Sequence, residues 1–224
     1  MSESVDGILT DSEQKIVAET AEFVKRESAG EASGHDWWHV FRVRNMALHL
    51  ARTEGGDMFL VEMAALLHDV DDWKLANAES GKAKQWLLKC ELQPETVEKI
   101  TAIIEQVSFK GAGEENRAAT IEAKVVQDAD RLDAIGAIGI ARTFAYGGSR
   151  NREIYNPEVK PVFHTDFDAY KKNQSHTINH FYEKLLLLKD KLNTTTAKEI
   201  AAERHDFMTA FLKQFYKEWG EISE

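Results

Sequence analysis

The chain has 224 residues, 43% of them hydrophobic and 29% charged, which excludes a disordered protein and supplies apolar material for one large domain or two small ones. Its 13 glycines and 3 prolines are too few for a collagen-like, low-complexity or turn-rich all-β chain. With 28 Lys and Arg against 38 Asp and Glu, the formal net charge of -10 argues against a scaffold for nucleic-acid polymers or an anionic membrane surface, since both need basic surface.

The single cysteine, Cys90, rules out an intrachain disulfide and a multi-cysteine zinc site, so any metal must be held by His and Asp. The first thirty residues carry no apolar leader core. The longest apolar runs, such as Leu185 to Leu188, fall far short of the roughly 18 residues a membrane span needs, so a soluble cytoplasmic protein is expected.

Taken in order, Thr10 and Glu13 have the spacing of a capping box, and Ile16, Val17, Thr20, Phe23 and Val24 follow at helical spacing, which predicts a helix over about Asp11 to Arg26. After a break at Gly30 to Gly34, the stripe Val40, Val43, Ala47 and Leu50 predicts a second helix from about Trp38 to Thr53, closed by Gly55 and Gly56. Asp57 can cap a third, whose run Val61, Met63, Ala64, Ala65, Leu66 and Leu67 is apolar nearly all round, as befits the centre of a core; it ends in His68 and Asp69.

Two further helices are expected around Pro94 and, after a loop from Ser108 to Asn116, a long one from about Ala118 to Tyr146. Residues 147 to 175 hold two of the prolines and little periodicity, so a surface excursion is expected there, followed by helices near Ser175 to Leu192 and Thr196 to Trp219. No strand alternation, repeat or linker is visible. The expected fold is all-α, in a single domain over residues 1 to 224 with a helical core of about 11 to 146 and the terminal helices packed on it.

The His-Asp pair occurs at His35-Asp36, His68-Asp69 and His205-Asp206, so only context can discriminate. His205-Asp206 lies in a charged stretch of an amphipathic helix and reads as solvated surface. His68-Asp69 ends the most apolar helix, where an ionisable pair without partners would cost several kcal/mol, so it should be paired or metal-bound. A divalent ion needs three or four such donors from different elements. His39 can be aimed inward by the Val40/Val43 stripe, and in Gln127 to Gly136 (QDADRLDAIG) three aspartates, Asp128, Asp130 and Asp133, enter an otherwise apolar helix.

A His, then His-Asp at the end of an apolar helix, then Asp in an Ala-Asp-x-Leu context resembles the HD-domain metal-dependent phosphohydrolases. The segments Gln127 to Phe144 and Asn179 to Thr194 look most like the small bacterial YedJ/YpgQ-type subgroup. The resemblance implies one divalent ion (Mn²⁺, Mg²⁺ or Fe²⁺) on His39, His68, Asp69 and Asp130, and hydrolysis of nucleoside triphosphates, deoxy or ribo, to monophosphate and pyrophosphate. Val107 stands where some of the subgroup carry His before Ser-Phe, so one metal rather than two is expected.

By the same resemblance Asp72, three residues after Asp69, stands where related enzymes place the acid that positions or deprotonates water; Asp71 is its rival. Lys110, in the glycine-bearing loop Ser108 to Gly113, is the preferred phosphate binder, with Arg42, Arg142 and His180 as weaker candidates. Trp37, Trp38 and Trp73 bracket the ligands and could stack on a base. The partner expected is a small nucleotide, with no nucleic-acid polymer and no membrane, and with room for a homodimer. The alternatives are an alarmone or cyclic-nucleotide hydrolase and a non-catalytic module that senses nucleotides.

Overall fold

The computed structural model describes residues 9–29, 36–71, 81–107, 118–162 and 175–220, and among them there is no strand. Two compact units are present, one formed by residues 1–110 and 115–130, the other by 111–114 and 131–224.

In the first unit α1 (Asp11–Glu27) opens on the expected capping box. The Thr10 hydroxyl accepts from the Glu13 N–H at 3.3 Å and the Glu13 carboxylate accepts from the Thr10 N–H at 2.8 Å. Helix α2 (Trp37–Glu54) is capped by Asp36, whose Oδ1 accepts the His39 N–H at 3.0 Å, and it stops at Gly55, whose φ of 93° lies in the left-handed region. Helix α3 (Met58–Leu67) is capped by Asp57, which accepts the Phe59 and Leu60 N–H groups at 2.9 and 3.1 Å. Every residue from Val61 to Leu67 is buried, because α1, α2 and α5 all pack on this helix. The two helices expected around Pro94 are α4 (Lys82–Lys89) and α5 (Pro94–Val107), the latter starting on the proline, where a missing N–H costs nothing.

One expected helix is two. In place of a continuous run from Ala118 to Tyr146 there is α6 (Ile121–Asp133) and α7 (Gly136–Ser149). Gly136 adopts φ 78°, and a Cβ there would come within 2.9 Å of the Arg204 Cγ, so the break needs a glycine on both counts. Arg204 also donates to the Leu132 carbonyl, satisfying one of the open acceptors at the end of α6. Helix α7 runs three residues past the point where the surface excursion was expected to begin.

The second unit also departs from expectation at Ser175 to Leu192. Only α8 (Asn179–Glu183) is α-helical there, followed by a 3-10 segment, Leu185–Lys191. Leu185 and Leu188 are buried while Leu187 is exposed, a period of three that the tighter helix satisfies and the α-helix does not. Helix α9 (Thr195–Trp219) packs on α7 and on the 3-10 segment, and Phe181 stacks with Phe211 between them. Residues 153–159, after α7, are tied to residues 177–179. Thr177 N–H and Oγ1 both donate to the Glu153 carbonyl, and Asn179 Nδ2 donates to the Val159 carbonyl. Among the described residues no helix is long and apolar enough to cross a membrane.

Candidate metal centre

Three helices of the first unit each deliver chemistry to one point. The Asp36 cap fixes where α2 begins, and the buried Val40 and Val43 turn its inward face so that His39 is fully buried. Helix α3 ends at His68, whose Nδ1 lies 2.8 Å from the Ala65 carbonyl. A carbonyl can only accept, so Nδ1 carries the proton and Nε2 presents its lone pair. Asp69 follows, buried, and α6 brings Asp130, whose carboxyl is one-third exposed.

His39 Nε2 stands 3.2 Å from Asp69 Oδ2 and 3.5 Å from Asp130 Oδ1, while His68 Nε2 stands 3.5 Å from Asp69 Oδ1 and 3.9 Å from Asp130 Oδ1. Donors about 2.0 to 2.3 Å from one ion, at angles between octahedral and tetrahedral, would be roughly 2.8 to 3.8 Å apart. Three of the four separations fall in that range and the fourth, His68 Nε2 to Asp130 Oδ1, is 3.9 Å, so the donors stand close enough to share a divalent ion. His39, His68 and Asp130 each place a donor atom within 4.8 Å of the others. His68 Nε2 is buried with no hydrogen-bond partner, a state that costs about 1 to 3 kcal/mol and that a bound cation relieves. Two imidazoles and two carboxylates make a mixed N/O set, suited to Mn²⁺, Fe²⁺ or Mg²⁺.

The structure thus brings His39, His68, Asp69 and Asp130 together. Asp71 is engaged elsewhere, since its carboxylate accepts the Lys82 N–H at 2.8 Å and the Ala83 N–H at 3.4 Å and so holds the start of α4. Arg42 is half-buried on α2. Arg142 and His180 belong to the second unit. There Arg142 Nη1 lies 2.7 Å from Oδ2 of the buried Asp133, and desolvation, with repulsion from Lys184 and Arg152, pushes the His180 imidazole down to about 3. Asp72, Trp73 and Lys110 lie outside the described residues. Trp38 and Phe41 are exposed and meet edge to face at 5.9 Å, with Trp37 beside Phe41. At about 100° per residue, Trp37 and Phe41 lie roughly 160° round α2 from His39 and Trp38 roughly 100°.

Sequence reasoning passed over two participants. Asp36, in the first His-Asp pair, acts as the cap that orients His39. Glu62, the lone charge within Met58 to Leu67, is buried and receives the Arg44 guanidinium. A single carboxylate in an apolar run was the available signal.

The HD-domain family model matches residues 37–135, which hold all four donors. YpgQ of Bacillus subtilis is 41% identical over 192 residues, 84% of this chain and 86% of that one. A crystal structure of YpgQ in complex with ADP matches with a TM-score of 0.75 and 36% identity, over 92% of this chain and 100% of that one. An HD-superfamily hydrolase from Bacillus thuringiensis matches with a TM-score of 0.74 and 44% identity over 93% and 99%. A protein from Lactobacillus plantarum matches with a TM-score of 0.84 and 37% identity over 95% and 99%. With the fold, the donor spacing and these relatives in agreement, the chain belongs to the HD-domain family, among its YpgQ-type members, and is a metal-dependent phosphohydrolase.

Proposed function

We propose that the chain hydrolyses nucleoside triphosphates, ribo or deoxy, to the monophosphate and pyrophosphate, with one divalent cation (Mn²⁺, Mg²⁺ or Fe²⁺) held by His39, His68, Asp69 and Asp130. The observation that carries this reading is the convergence of two imidazoles and two carboxylates with the His68 Nε2 lone pair buried and unspent. The nucleotide class is supported by the ADP found on YpgQ. When bound, the cation neutralises charge on phosphoryl oxygens and makes water more acidic.

Asp72 takes the role of general base. Support comes from its neighbour, because the Asp71 carboxylate is spent on the first N–H groups of α4. Lys110 binds phosphate as a point charge. Arg42, Arg142 and His180 are further substrate contacts. With its titration near 3, His180 is neutral around pH 7 and can offer a hydrogen bond but no charge. Asp130 lies on the more open edge of the cluster, its carboxyl one-third exposed.

The test is a panel of ribo- and deoxynucleoside triphosphates, an alarmone and cyclic nucleotides, assayed with Mn²⁺ and followed by product identification. Stoichiometric pyrophosphate and monophosphate from triphosphates is the expected result. Orthophosphate release, exclusive turnover of alarmone or cyclic nucleotides, or binding without turnover would contradict it.

A further inference from the structure

The ion pair of Arg44 and Glu62 is not used by the reaction just described. Glu62 is 4% exposed, within the helix that ends in His68. Arg44 Nε donates to its Oε1 at 2.7 Å, and Nη2 donates to the same oxygen. Arg44 lies on α2, five residues after His39, and Glu62 lies six residues before His68, so the pair sits about 7 to 9 Å along the helix axes from the two imidazoles.

Burying such a pair is an expensive way to join two helices. The Glu62 side chain is 6% exposed and that of Arg44 27%, so desolvation of the carboxylate offsets much of the attraction, and apolar residues of similar volume commonly do as well. Stability alone therefore does not account for it. What the pair supplies is position along the axis. The inward face of α2 is aliphatic (Val40, Val43, Ala47, Leu50), and α3 from Met63 to Leu67 is aliphatic too, so their ridges can settle at neighbouring offsets. Two N–H donors on one oxygen tolerate far less sliding. The quantity that sliding would alter is the spacing of His39 and His68, whose rings now meet edge-on with centroids 5.4 Å apart.

We infer that Arg44 and Glu62 form a positioning pair that sets the register of α2 on α3 and thereby the affinity of the His39/His68 imidazoles for a divalent cation. The inference rests on the ligand assignment made above. Neither residue touches the cation position or the substrate; both act through the two histidines.

The test is Co²⁺ titration of metal-stripped full-length protein, read by the visible absorption of bound Co²⁺, which reports coordination geometry, beside a thermal melt of each variant. His68→Ala is the control for the ligand assignment and should lose tight Co²⁺ binding. Arg44→Met/Glu62→Leu should melt near the wild-type temperature, bind Co²⁺ about 10- to 100-fold more weakly and show an altered band shape, in line with the usual effect of residues that orient metal ligands. The exchanged pair Arg44→Glu/Glu62→Arg should recover part of the affinity. Wild-type Co²⁺ affinity and band shape in Arg44→Met/Glu62→Leu, with His68→Ala defective, would overturn the positioning role alone. Wild-type binding by His68→Ala would overturn the ligand assignment and the positioning role with it. If the apolar double variant fails to fold, Arg44→Lys, which keeps the charge but not the two-pronged contact, decides. It should bind several-fold more weakly, and unchanged affinity in it overturns the inference.

Discussion

His68-Asp69 and His205-Asp206 are the same dipeptide in helices of opposite character. The first ends α3, where every residue from Val61 to Leu67 is buried, and both of its side chains are themselves buried. The second sits midway along α9, with His205 half-buried, Asp206 exposed and the exposed Glu203 and Phe207 on either side. The Asp206 carboxylate stays in water and, although His205 Nδ1 is itself buried without a hydrogen-bond partner, the pair joins no cluster of metal-capable donors among the described residues. The same groups withdrawn from water must be matched by partners or by a cation. The difference lies in what the surrounding helix buries, and the dipeptide itself is silent.

The comparison can be broken most directly at the acidic member. Asp69→Asn should reduce cation affinity by at least 10²-fold, beyond what residues outside the coordination sphere usually contribute, and should abolish hydrolysis at micromolar Mn²⁺. Asp206→Asn should leave both within twofold. Calorimetric Mn²⁺ titration of the two variants checks this, and equal behaviour would erase the distinction.

The next effect separates the neighbouring acids. Asp72→Asn should lower kcat by about 10² to 10⁴ with metal content unchanged, the usual worth of a general base. Asp71→Ala should instead cost about 0.5 to 2 kcal/mol of stability through the lost acceptor at the start of α4, lowering Tm by a few degrees while kcat stays within a few-fold. Kinetics and melting on both variants check the assignment, and a reversal of the two patterns would give the water to Asp71.

A smaller effect is expected at the substrate. Lys110→Ala should raise KM at least as much as it lowers kcat, because a phosphate contact exists before the transition state as well as in it. Steady-state kinetics on a nucleoside triphosphate supply the check; a pure kcat defect would point to a contact made only in the transition state.

The smallest is a pH effect in the second unit. The folded His180 titrates near 3, below the ordinary 6.5. Between those values the unfolded chain binds a proton that the folded chain refuses, so stability is full above about pH 6.5 and falls as pH drops toward 3. His180→Gln should remove this part of the acid lability and move the acid-unfolding midpoint, followed by circular dichroism, to lower pH. An unmoved midpoint would show that the imidazole takes up its proton in the folded state.

How much of this was legible in the sequence follows from how local each signal is. The starts of α1 and α3 were readable because Thr10, Glu13 and Asp57 bond to N–H groups within three residues of themselves. The metal-ligand set was legible as a resemblance, in the order His39, His68-Asp69, Asp130, with apolar periodicity saying only that His39 can face inward; the clustering of His39, His68 and Asp130 agrees with part of it. The break between α6 and α7 was not, since Gly136 is required by the side chain of Arg204, far along the chain. Four consecutive leucines, Leu185 to Leu188, carry no period, so the 3-10 segment was hidden until burial chose Leu185 and Leu188. Glu62 was passed over because its partner Arg44 lies on another helix.

The most direct test is anomalous diffraction at the manganese edge from crystals grown with Mn²⁺. The account predicts one strong peak in the first unit, about 2.0 to 2.3 Å from Nε2 of His39, Nε2 of His68 and carboxylate oxygens of Asp69 and Asp130. A peak at His205-Asp206 instead, or none within reach of His39 and His68, would contradict it.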